Sequence, residues 1–264
     1  MMRDGHIHSP FCPHGTKDSL KSYIEKAIAL GYTDISFTEH APLPLGFTDT
    51  TPQQDSGLAE KDLFPYLEAV QQAKTIYQND LTIRVGLEVD FISGFEKETR
   101  LFLDKVGPYL DDSILSVHFL QLKRQYFCSD FSKDVFFEMV QNAGSIQAVY
   151  DLYYDTLEAS IRADLGAYKP KRIGHPTLIH KFQHAHGEGI DDSERILRIL
   201  NLMAENGYEL DLNAAGFSKP DCLESYPPQK YIAAAVELGI PLVYGSDAHS
   251  ADGLHIHHSK LYNE

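Results

Sequence analysis

Histidine stands out in this chain of 264 residues, which contains 13 copies of it. Many of these histidines, and two carboxylates, lie where short apolar segments end. The residues concerned are His6, His8, His14, His40, Glu88, His118, His175, Asp247 and His249. Imidazole and carboxylate groups are ligands of Zn, Mn and Fe, and the two oxygens of one carboxylate can bridge two ions. The pattern therefore predicts a metal cluster capable of hydrolytic chemistry.

The prediction depends on the set and not on any one member. A single histidine at a strand end is more often an ordinary polar residue than a ligand. Here six strands would each have to place His, Glu or Asp near the same end by accident. The remaining histidines occur in the polar stretches HKFQHAHGEG and HIHHSK, and we expect them to be solvated loop or tail residues. They are His180, His184, His186, His255, His257 and His258.

Seven short apolar segments bounded by Gly, Pro or Asp are predicted strands. They are Asp4–His8, Thr33–His40, Thr82–Ile92, Ser113–Leu120, Lys171–Ile179, Tyr208–Ala214 and Ile240–Asp247. Segments with helical spacing of apolar residues alternate with them. These cover Leu20 to Gly31, Lys61–Gln78, Phe95–Tyr109, Ile146–Leu165, Ser193–Asn206 and Pro228–Leu238. The alternation indicates parallel βα units, in an α/β fold that is either a barrel or a doubly wound sheet. In a parallel barrel the strand ends converge on one face, which would bring the candidate ligands together.

Two further segments, Ala41–Glu60 and Lys123–Ser145, are long and polar. Long loops in a compact domain are typically lids or insertions. We see no internal repeat and no linker-like run, so residues 1–264 are predicted to form a single domain.

Composition excludes several classes of protein. The chain is 43% hydrophobic and carries a formal charge of −15, which opposes binding to nucleic acid or to an anionic membrane surface. No stretch approaches the length of a transmembrane span, and the first ten residues lack the apolar run of a signal peptide. Cys12, Cys128 and Cys222 are too far apart for a thiolate zinc ribbon and favour a reducing, cytoplasmic location.

At this point the order of the candidate ligands resembles the PHP (polymerase and histidinol phosphatase) family along the whole chain. The words FTEHAP, SVHFL, RIGHP, DLNAAG and GSDAHS are similar to the histidinol-phosphate phosphatases of that family. The resemblance implies a distorted (β/α)7 barrel with three divalent ions (Zn, Mn or Fe) at the carboxyl ends of the strands. It assigns His6, His8, Glu88 and Asp247 to the first ion. It assigns Glu88, His118 and His175 to the second, and His14, His40 and His249 to the third.

Such a cluster fits hydrolysis of a phosphate monoester, and the resemblance implies L-histidinol phosphate as the small-molecule substrate. We expect Glu88, Asp247 and His249 to be catalytic, with Asp247 or a nearby histidine passing a proton to the leaving oxygen. Candidate substrate-binding residues are Asn213, Lys219, Arg162, Lys123 and Lys169, although each basic residue is at least as readily a solvated surface charge.

Two alternatives remain open at this stage. One is a PHP phosphoesterase that acts on a nucleotide, a phosphodiester or phosphotyrosine. The other is a non-catalytic PHP module, which the complete ligand set disfavours. The sequence leaves the native metal and the oligomeric state open.

Overall fold

The computed structural model describes residues 2–262, and its centre is a sheet of seven parallel strands. Residues 2–262 contain nine strands. They are β1 (Arg3–Ile7), β2 (Asp34–His40), β3 (Thr82–Asp90), β4 (Asp112–Ser116), β5 (Phe119–Leu122), β6 (Gln125–Cys128), β7 (Arg172–Ile173), β8 (Glu209–Asn213) and β9 (Leu242–Gly245). The order in the large sheet is β1-β2-β3-β4-β7-β8-β9, whereas β5 and β6 form a separate antiparallel hairpin.

The two edges of the large sheet meet just beyond β9. Ile7 and Ala248 form a parallel bridge, and the His8 N–H donates to the Ala248 carbonyl over 3.0 Å. The Asp247 N–H donates to the His6 carbonyl over 2.8 Å. These contacts nearly close the sheet, so the predicted seven-stranded α/β barrel is confirmed and the doubly wound alternative is wrong.

Helices surround the sheet. They are α1 (Leu20–Ala29), α2 (Glu60–Ile76), α3 (Glu96–Val106), α4 (Lys133–Ala143), α5 (Ile146–Arg162), α6 (Gln183–His186), α7 (Ser193–Glu205), α8 (Ile232–Glu237) and α9 (His258–Tyr262). In α7 the buried residues Ile196, Ile199, Leu200 and Met203 recur at the spacing of one helical face. Burial of such faces against the sheet provides the main driving force for this layered arrangement.

The amino-terminal end of the barrel interior is filled by ion pairs. Arg172 on β7 is 1% exposed, and its guanidinium donates to Asp112 Oδ2 over 2.6 Å and to the Gly5 carbonyl over 3.0 Å. Arg3 donates to the same Asp112 oxygen over 2.7 Å. A buried charge needs such partners, so this end of the barrel is built for stability and the opposite end is left for chemistry.

Two predicted strands are shorter than expected. The segment Ser113–Leu120 divides, because β4 ends at Ser116 and the chain then enters the hairpin. The segment Lys171–Ile179 is a strand only at residues 172–173, and its second half is a short 3-10 helix from Leu178 to Phe182. Both predictions treated an apolar run as one strand, although apolar residues are equally buried in a turn that covers the barrel end.

The two long segments differ from each other. Residues 41–59 form a loop without regular structure, as predicted. The segment Lys123–Ser145 is more than a simple connection, as predicted, but it is not an irregular loop, because it contains β6 and α4. Ser132 caps α4 by accepting a hydrogen bond from the Val135 N–H, and Gly144 ends it with a φ of 95°.

Within residues 2–262, none of the helices combines the length and the apolar character required to cross a membrane.

Candidate metal centre

The predicted ligands meet at the carboxyl end of the barrel. His40 is the last residue of β2, and Glu88 lies on β3 two residues before its end. His118, His175 and Asp247 each lie two residues beyond the end of a strand. Because all seven strands are parallel, these positions lie together at one end of the barrel.

Glu88 lies at the middle of the cluster and is 2% exposed. Its Oε1 accepts a hydrogen bond from Ser116 over 2.6 Å and lies 2.9 Å from His175 Nε2 and 3.8 Å from His118 Nε2. Its Oε2 faces the other side, 3.1 Å from His40 Nδ1 and 3.4 Å from His6 Nε2. The two oxygens of one carboxylate therefore face two separate sets of histidines.

Asp247 lies next to the same cluster from the β9 side. Its Oδ1 is 3.1 Å from His8 Nε2 and 3.7 Å from His6 Nε2, and its Oδ2 accepts from Asn213 over 3.3 Å. Its backbone has a φ of 54°, a left-handed conformation that costs energy in most residues and is common at functional sites. This turn directs the carboxylate to the centre.

Among the residues that the structure describes, three groups of side chains have ligand atoms that all lie within 4.8 Å of one another. They are His6, His8 and Asp247, then Glu88, His118 and His175, and lastly His8, Cys12, His40 and His249. The buried Nε2 of His6 has no hydrogen-bond partner within residues 2–262, and a cation would satisfy this orphaned nitrogen. Nitrogen and carboxylate donors in this arrangement fit divalent transition metals.

His14 is near the third group but is not a member of it. Its ring centroid lies 5.0 Å from that of His40 and 5.1 Å from that of His249. The side chain is exposed, and its Nδ1 lies 2.9 Å from the Asp55 carbonyl of the 41–59 loop. The buried Cys12, two residues before His14, is a member of that group.

Three carboxylates behind the histidines were missed by the sequence reasoning. Asp211 Oδ2 lies 2.9 Å from His6 Nδ1, Glu39 Oε1 lies 3.1 Å from His8 Nδ1, and Asp90 Oδ1 lies 2.8 Å from His118 Nδ1. A carboxylate on Nδ1 fixes the tautomer and leaves Nε2 as the ligand atom. Acidic residues inside otherwise apolar strands were the signal that could have identified them.

Close backbone approach makes room for this outer layer. A Cβ at Gly245 would lie 2.2 Å from Asp211 Oδ1 and 2.9 Å from the His6 Cβ. A Cβ at Gly174 would lie 2.1 Å from the Ser116 hydroxyl that donates to Glu88. Glycine is required at both positions because any side chain would displace the partners of the central residues.

The electrostatics of the cluster favour cations. Burial opposes a charge on Glu88, but His6, His40 and His175 hold its pKa well below the usual value. Burial likewise disfavours a charged His8, but Asp247 and Glu39 raise its pKa to about 9. The carboxylates are therefore anionic and raise the pKa of His6, His8 and His118, so a metal ion would compete with protons at these rings. Burial and the neighbouring His8 instead lower the pKa of His40 and His249.

A cavity of about 540 Å³ opens above the cluster, a size that suits a small molecule. Glu88, His118, His175, Asp247 and His249 form its floor. Thr51, Gln53 and Asp55 of the 41–59 loop contribute one wall, and whether that loop closes as a lid stays a prediction.

Only one of the five predicted substrate-binding residues lines this cavity. Lys219 does so. Asn213 is 0% exposed, and its amide donates to Asp211 and Asp247 while its carbonyl accepts from the Ala215 N–H. It therefore positions Asp247, and the prediction of direct substrate contact was wrong.

The other three lie elsewhere. Arg162 and Lys169 precede β7, so they belong to the amino-terminal side of the barrel. The Lys169 ammonium donates to the carbonyls of Ile161 and Ala163 at the end of α5, over 2.7 and 2.8 Å. Lys123 is in the exposed turn of the β5–β6 hairpin. Distance along the chain from a ligand was a poor guide to distance in space.

An ion pair in the cavity wall was also missed. Lys181 donates to Asp130 Oδ2 over 2.8 Å, and each side chain is 20% exposed. Burial opposes both charges, yet the carboxylate raises the pKa of Lys181 above its ordinary value. The pair thus keeps one fixed cation and one fixed anion beside the cluster.

The prediction that six histidines are solvated was wrong for two of them. His180 is 6% exposed and His258 is 8% exposed. His180 Nδ1 lies 2.7 Å from Glu224 Oε1, and its Nε2 lies 2.7 Å from Asp192 Oδ2. His184 is exposed, and the remaining three are half-buried.

Comparison with known proteins gives consistent results. The PHP domain family model matches residues 4–215. A histidinol-phosphatase from Bacillus subtilis is 49% identical over 251 residues, covering 94% of each chain. A crystal structure of a candidate histidinol phosphatase from Listeria monocytogenes superimposes with a TM-score of 0.94 at 40% identity, covering 98% of this chain and 99% of that one.

A more distant structure shares the fold. It is the histidinol phosphate phosphatase from Lactococcus lactis in complex with zinc, L-histidinol and phosphate, with a TM-score of 0.70. Identity is 19%, and the match covers 99% of this chain and 93% of the other.

Proposed function

The chain belongs to the PHP domain family, and we propose that it is a metal-dependent phosphatase that hydrolyses L-histidinol phosphate to L-histidinol and phosphate. One observation carries the proposal: Glu88 presents its two oxygens to two sets of histidines at the floor of a cavity of small-molecule size. The 49% identity to a histidinol-phosphatase supports the choice of substrate.

The proposed cofactor is a set of three divalent ions, with zinc, manganese or iron as candidates. The residues that would hold them are His6, His8, His14, His40, Glu88, His118, His175, Asp247 and His249. When bound, such ions lower the pKa of water and neutralise charge on phosphoryl oxygens. The orphaned His6 Nε2 and the three ligand groups support this assignment.

The chain's own residues would supply orientation and proton transfer. Glu88 holds the two sets of histidines at fixed distance, and Ser116 fixes its rotamer by donating to Oε1. Asp247 or His249 would pass a proton to the leaving oxygen, because both line the cavity floor. Asn213 holds Asp247 through Oδ2, so Oδ1 is the oxygen directed at the histidines.

Charged groups of the cavity wall would recognise the rest of the substrate. Lys219 and Lys181 present ammonium groups that suit phosphate oxygens. Asp55 and Asp130 present carboxyl groups that suit the substrate amine. A small molecule with both charges is therefore a better fit than a polyanion, given the net charge of −15.

We further propose that residues 1–264 form one PHP-type metallophosphatase domain that functions in the cytoplasm. The continuous seven-stranded sheet supports a single unit. Three cysteines, all free and buried, support a reducing compartment.

The test is an assay of phosphate release from L-histidinol phosphate, p-nitrophenyl phosphate and a dinucleotide, each with added Mn²⁺ or Zn²⁺. We expect L-histidinol phosphate to have the highest kcat/KM and EDTA to abolish turnover. Preferential cleavage of the dinucleotide, or full activity in excess EDTA, would contradict the proposal.

A further inference from the structure

We propose that the sulfur of Cys12 is a metal ligand, which binds one ion together with His40 and His249 and makes this position the softest in the cluster. The inference rests on the proposed metal dependence. It adds a donor atom that the pattern of histidines and carboxylates does not contain.

Geometry carries the proposal. Cys12 is 0% exposed, and its Sγ belongs to the group with His8, His40 and His249 whose ligand atoms all lie within 4.8 Å of one another. Ligands of one tetrahedral zinc ion lie about 3.3–3.8 Å apart, given bond lengths of about 2.0–2.3 Å, so small movements suffice. A buried sulfur thus lies within reach of the same ion as two histidines.

Each of the two histidines has its Nδ1 engaged by a neighbouring oxygen. His40 Nδ1 lies 3.1 Å from Glu88 Oε2, and His249 Nδ1 lies 3.0 Å from the Asp247 carbonyl. Their Nε2 atoms remain as the ligand atoms. His14, in contrast, is exposed, and its Nδ1 faces the loop carbonyl of Asp55.

The turn around Cys12 holds its sulfur close to the backbone. The Cys12 N–H donates to the Ser9 carbonyl over 3.0 Å, and the chain then folds back over the sulfur. A Cβ at Gly15 would lie 3.0 Å from the Cys12 Cβ and 3.4 Å from its Sγ, so the glycine allows close approach of the backbone. Burial and the nearby Glu39 raise the pKa of the Cys12 thiol, and the backbone N–H groups of His14 and Gly15 oppose this only in part. A divalent cation beside the sulfur would offset both effects and favour the thiolate.

The other two thiols behave differently. Cys128 Sγ donates to Asp130 Oδ1 over 3.4 Å, and Cys222 Sγ donates to the Glu224 carbonyl over 3.7 Å. Within the described part of the chain, neither belongs to a group that could hold a metal ion. Cys222 is equally buried and lies outside the cavity, so it provides a matched control.

Coordination by Cys12 has two consequences. Binding converts the thiol to a thiolate, and its proton is released to solvent. A thiolate ligand shifts preference toward Zn²⁺, Co²⁺ or Fe²⁺ and away from Mn²⁺ and Mg²⁺.

The experiment uses the full chain loaded with Co²⁺, whose thiolate complexes give a charge-transfer band in the near ultraviolet. We expect the band in the wild type and in Cys222→Ser but not in Cys12→Ser. Cys12→Ser should also bind its weakest-held ion at least about tenfold less tightly, measured with a competing chelator. A band that survives in Cys12→Ser would overturn the proposal.

X-ray absorption at the zinc edge of the wild type gives a test that does not depend on a variant folding. We expect one sulfur neighbour at about 2.3 Å, in addition to nitrogen and oxygen. Its absence would overturn the inference while leaving the phosphatase intact. Failure of the loaded wild type to release phosphate from L-histidinol phosphate would instead contradict the proposed function, whatever the spectra show.

Discussion

Glu88 and Asp90 lie on the same face of β3, yet the structure gives them different partners. Glu88 is surrounded by histidine nitrogens, whereas Asp90 accepts from the His118 backbone N–H over 3.1 Å and lies 2.8 Å from His118 Nδ1. Asp90 is 8% exposed, so its carboxylate is buried as well. One carboxylate is a candidate ligand and the other orients a candidate ligand.

This difference predicts unequal effects of two matched substitutions. Glu88→Gln should lower kcat by about 10³ or more, or roughly 4 kcal/mol of barrier, with loss of at least one ion. Asp90→Asn should lower it by only about 10–100-fold, as expected for an outer partner. The measurements are steady-state kinetics and elemental analysis. Full metal content and normal turnover in Glu88→Gln, with loss of both in Asp90→Asn, would assign the shared carboxylate to Asp90.

Lys219 and Lys169 were both predicted to bind substrate, but they lie in different parts of the molecule, and substitutions at the two positions should have different effects. Lys219→Met should raise KM for L-histidinol phosphate about tenfold, because it removes a cation from the cavity wall. Lys169→Met should leave KM unchanged and cost about 1 kcal/mol of unfolding free energy, because it uncaps two carbonyls of α5. Kinetics and urea unfolding of both variants decide the matter. An unchanged KM in Lys219→Met would remove that lysine from the substrate site.

At the scale of the elements, the spacing of apolar residues predicted the regular helices and strands. The helical spacing of Ser193–Asn206 gave α7 almost to the residue, because a single apolar face fixes that helix. Periodicity failed where apolar residues serve a turn, as at Leu178–Phe182. The positions of histidines and carboxylates at strand ends identified the candidate ligands. They did not identify Asp211 or Glu39 as partners of His6 and His8, because each pair joins strands that are distant in sequence. Such pairings are set by the register of the sheet, which composition does not encode.

The short helix Leu178–Phe182 carries a pH-dependent contribution to stability. Burial opposes the charge on His180, but the hydrogen bonds that it donates to Asp192 and Glu224 outweigh burial and raise its pKa to about 8. A pKa raised above the unfolded value of about 6.5 stabilises the folded chain below that pH, and the contribution is lost as pH rises through about 8. Tyr154 donates to the same Asp192 oxygen, so the network links α5 to the start of α7.

We therefore expect the wild type to lose about 2 kcal/mol relative to His180→Gln between pH 6 and pH 9. Urea unfolding at the two pH values, at saturating metal, measures the difference. His184→Ala is the control, since His184 is exposed and should show no such change. Parallel pH dependence of the wild type and His180→Gln would mean that His180 is neutral in the folded chain.

At the scale of the whole molecule, the metal centre coincides with the seam of the barrel. The seam contacts involve the backbones of His6, His8 and Asp247, and the side chains of the same three residues form one candidate ligand group. A bound ion would therefore link the first strand to the last through side chains. Metal binding and barrel closure should be coupled, because an ion that binds only the closed barrel stabilises it.

This coupling predicts where the chain opens when metal is removed. At 100 times the dissociation constant, one ion contributes about 2.7 kcal/mol, which corresponds to roughly 5–10 °C in Tm for a chain of this size. Chelation should therefore lower Tm by at least that amount. Hydrogen exchange should accelerate most at the amides of His8 and Asp247, which donate across the seam, and least at the β2–β3 ladder.

Two variants serve as controls for this prediction. The Tm and the exchange rates of Glu88→Gln should lie between those of the untreated and the chelated wild type, and those of His184→Ala should match the untreated protein. An unchanged Tm, or exchange that rises equally in β2–β3 and at the seam, would show that the ions do not hold the barrel closed.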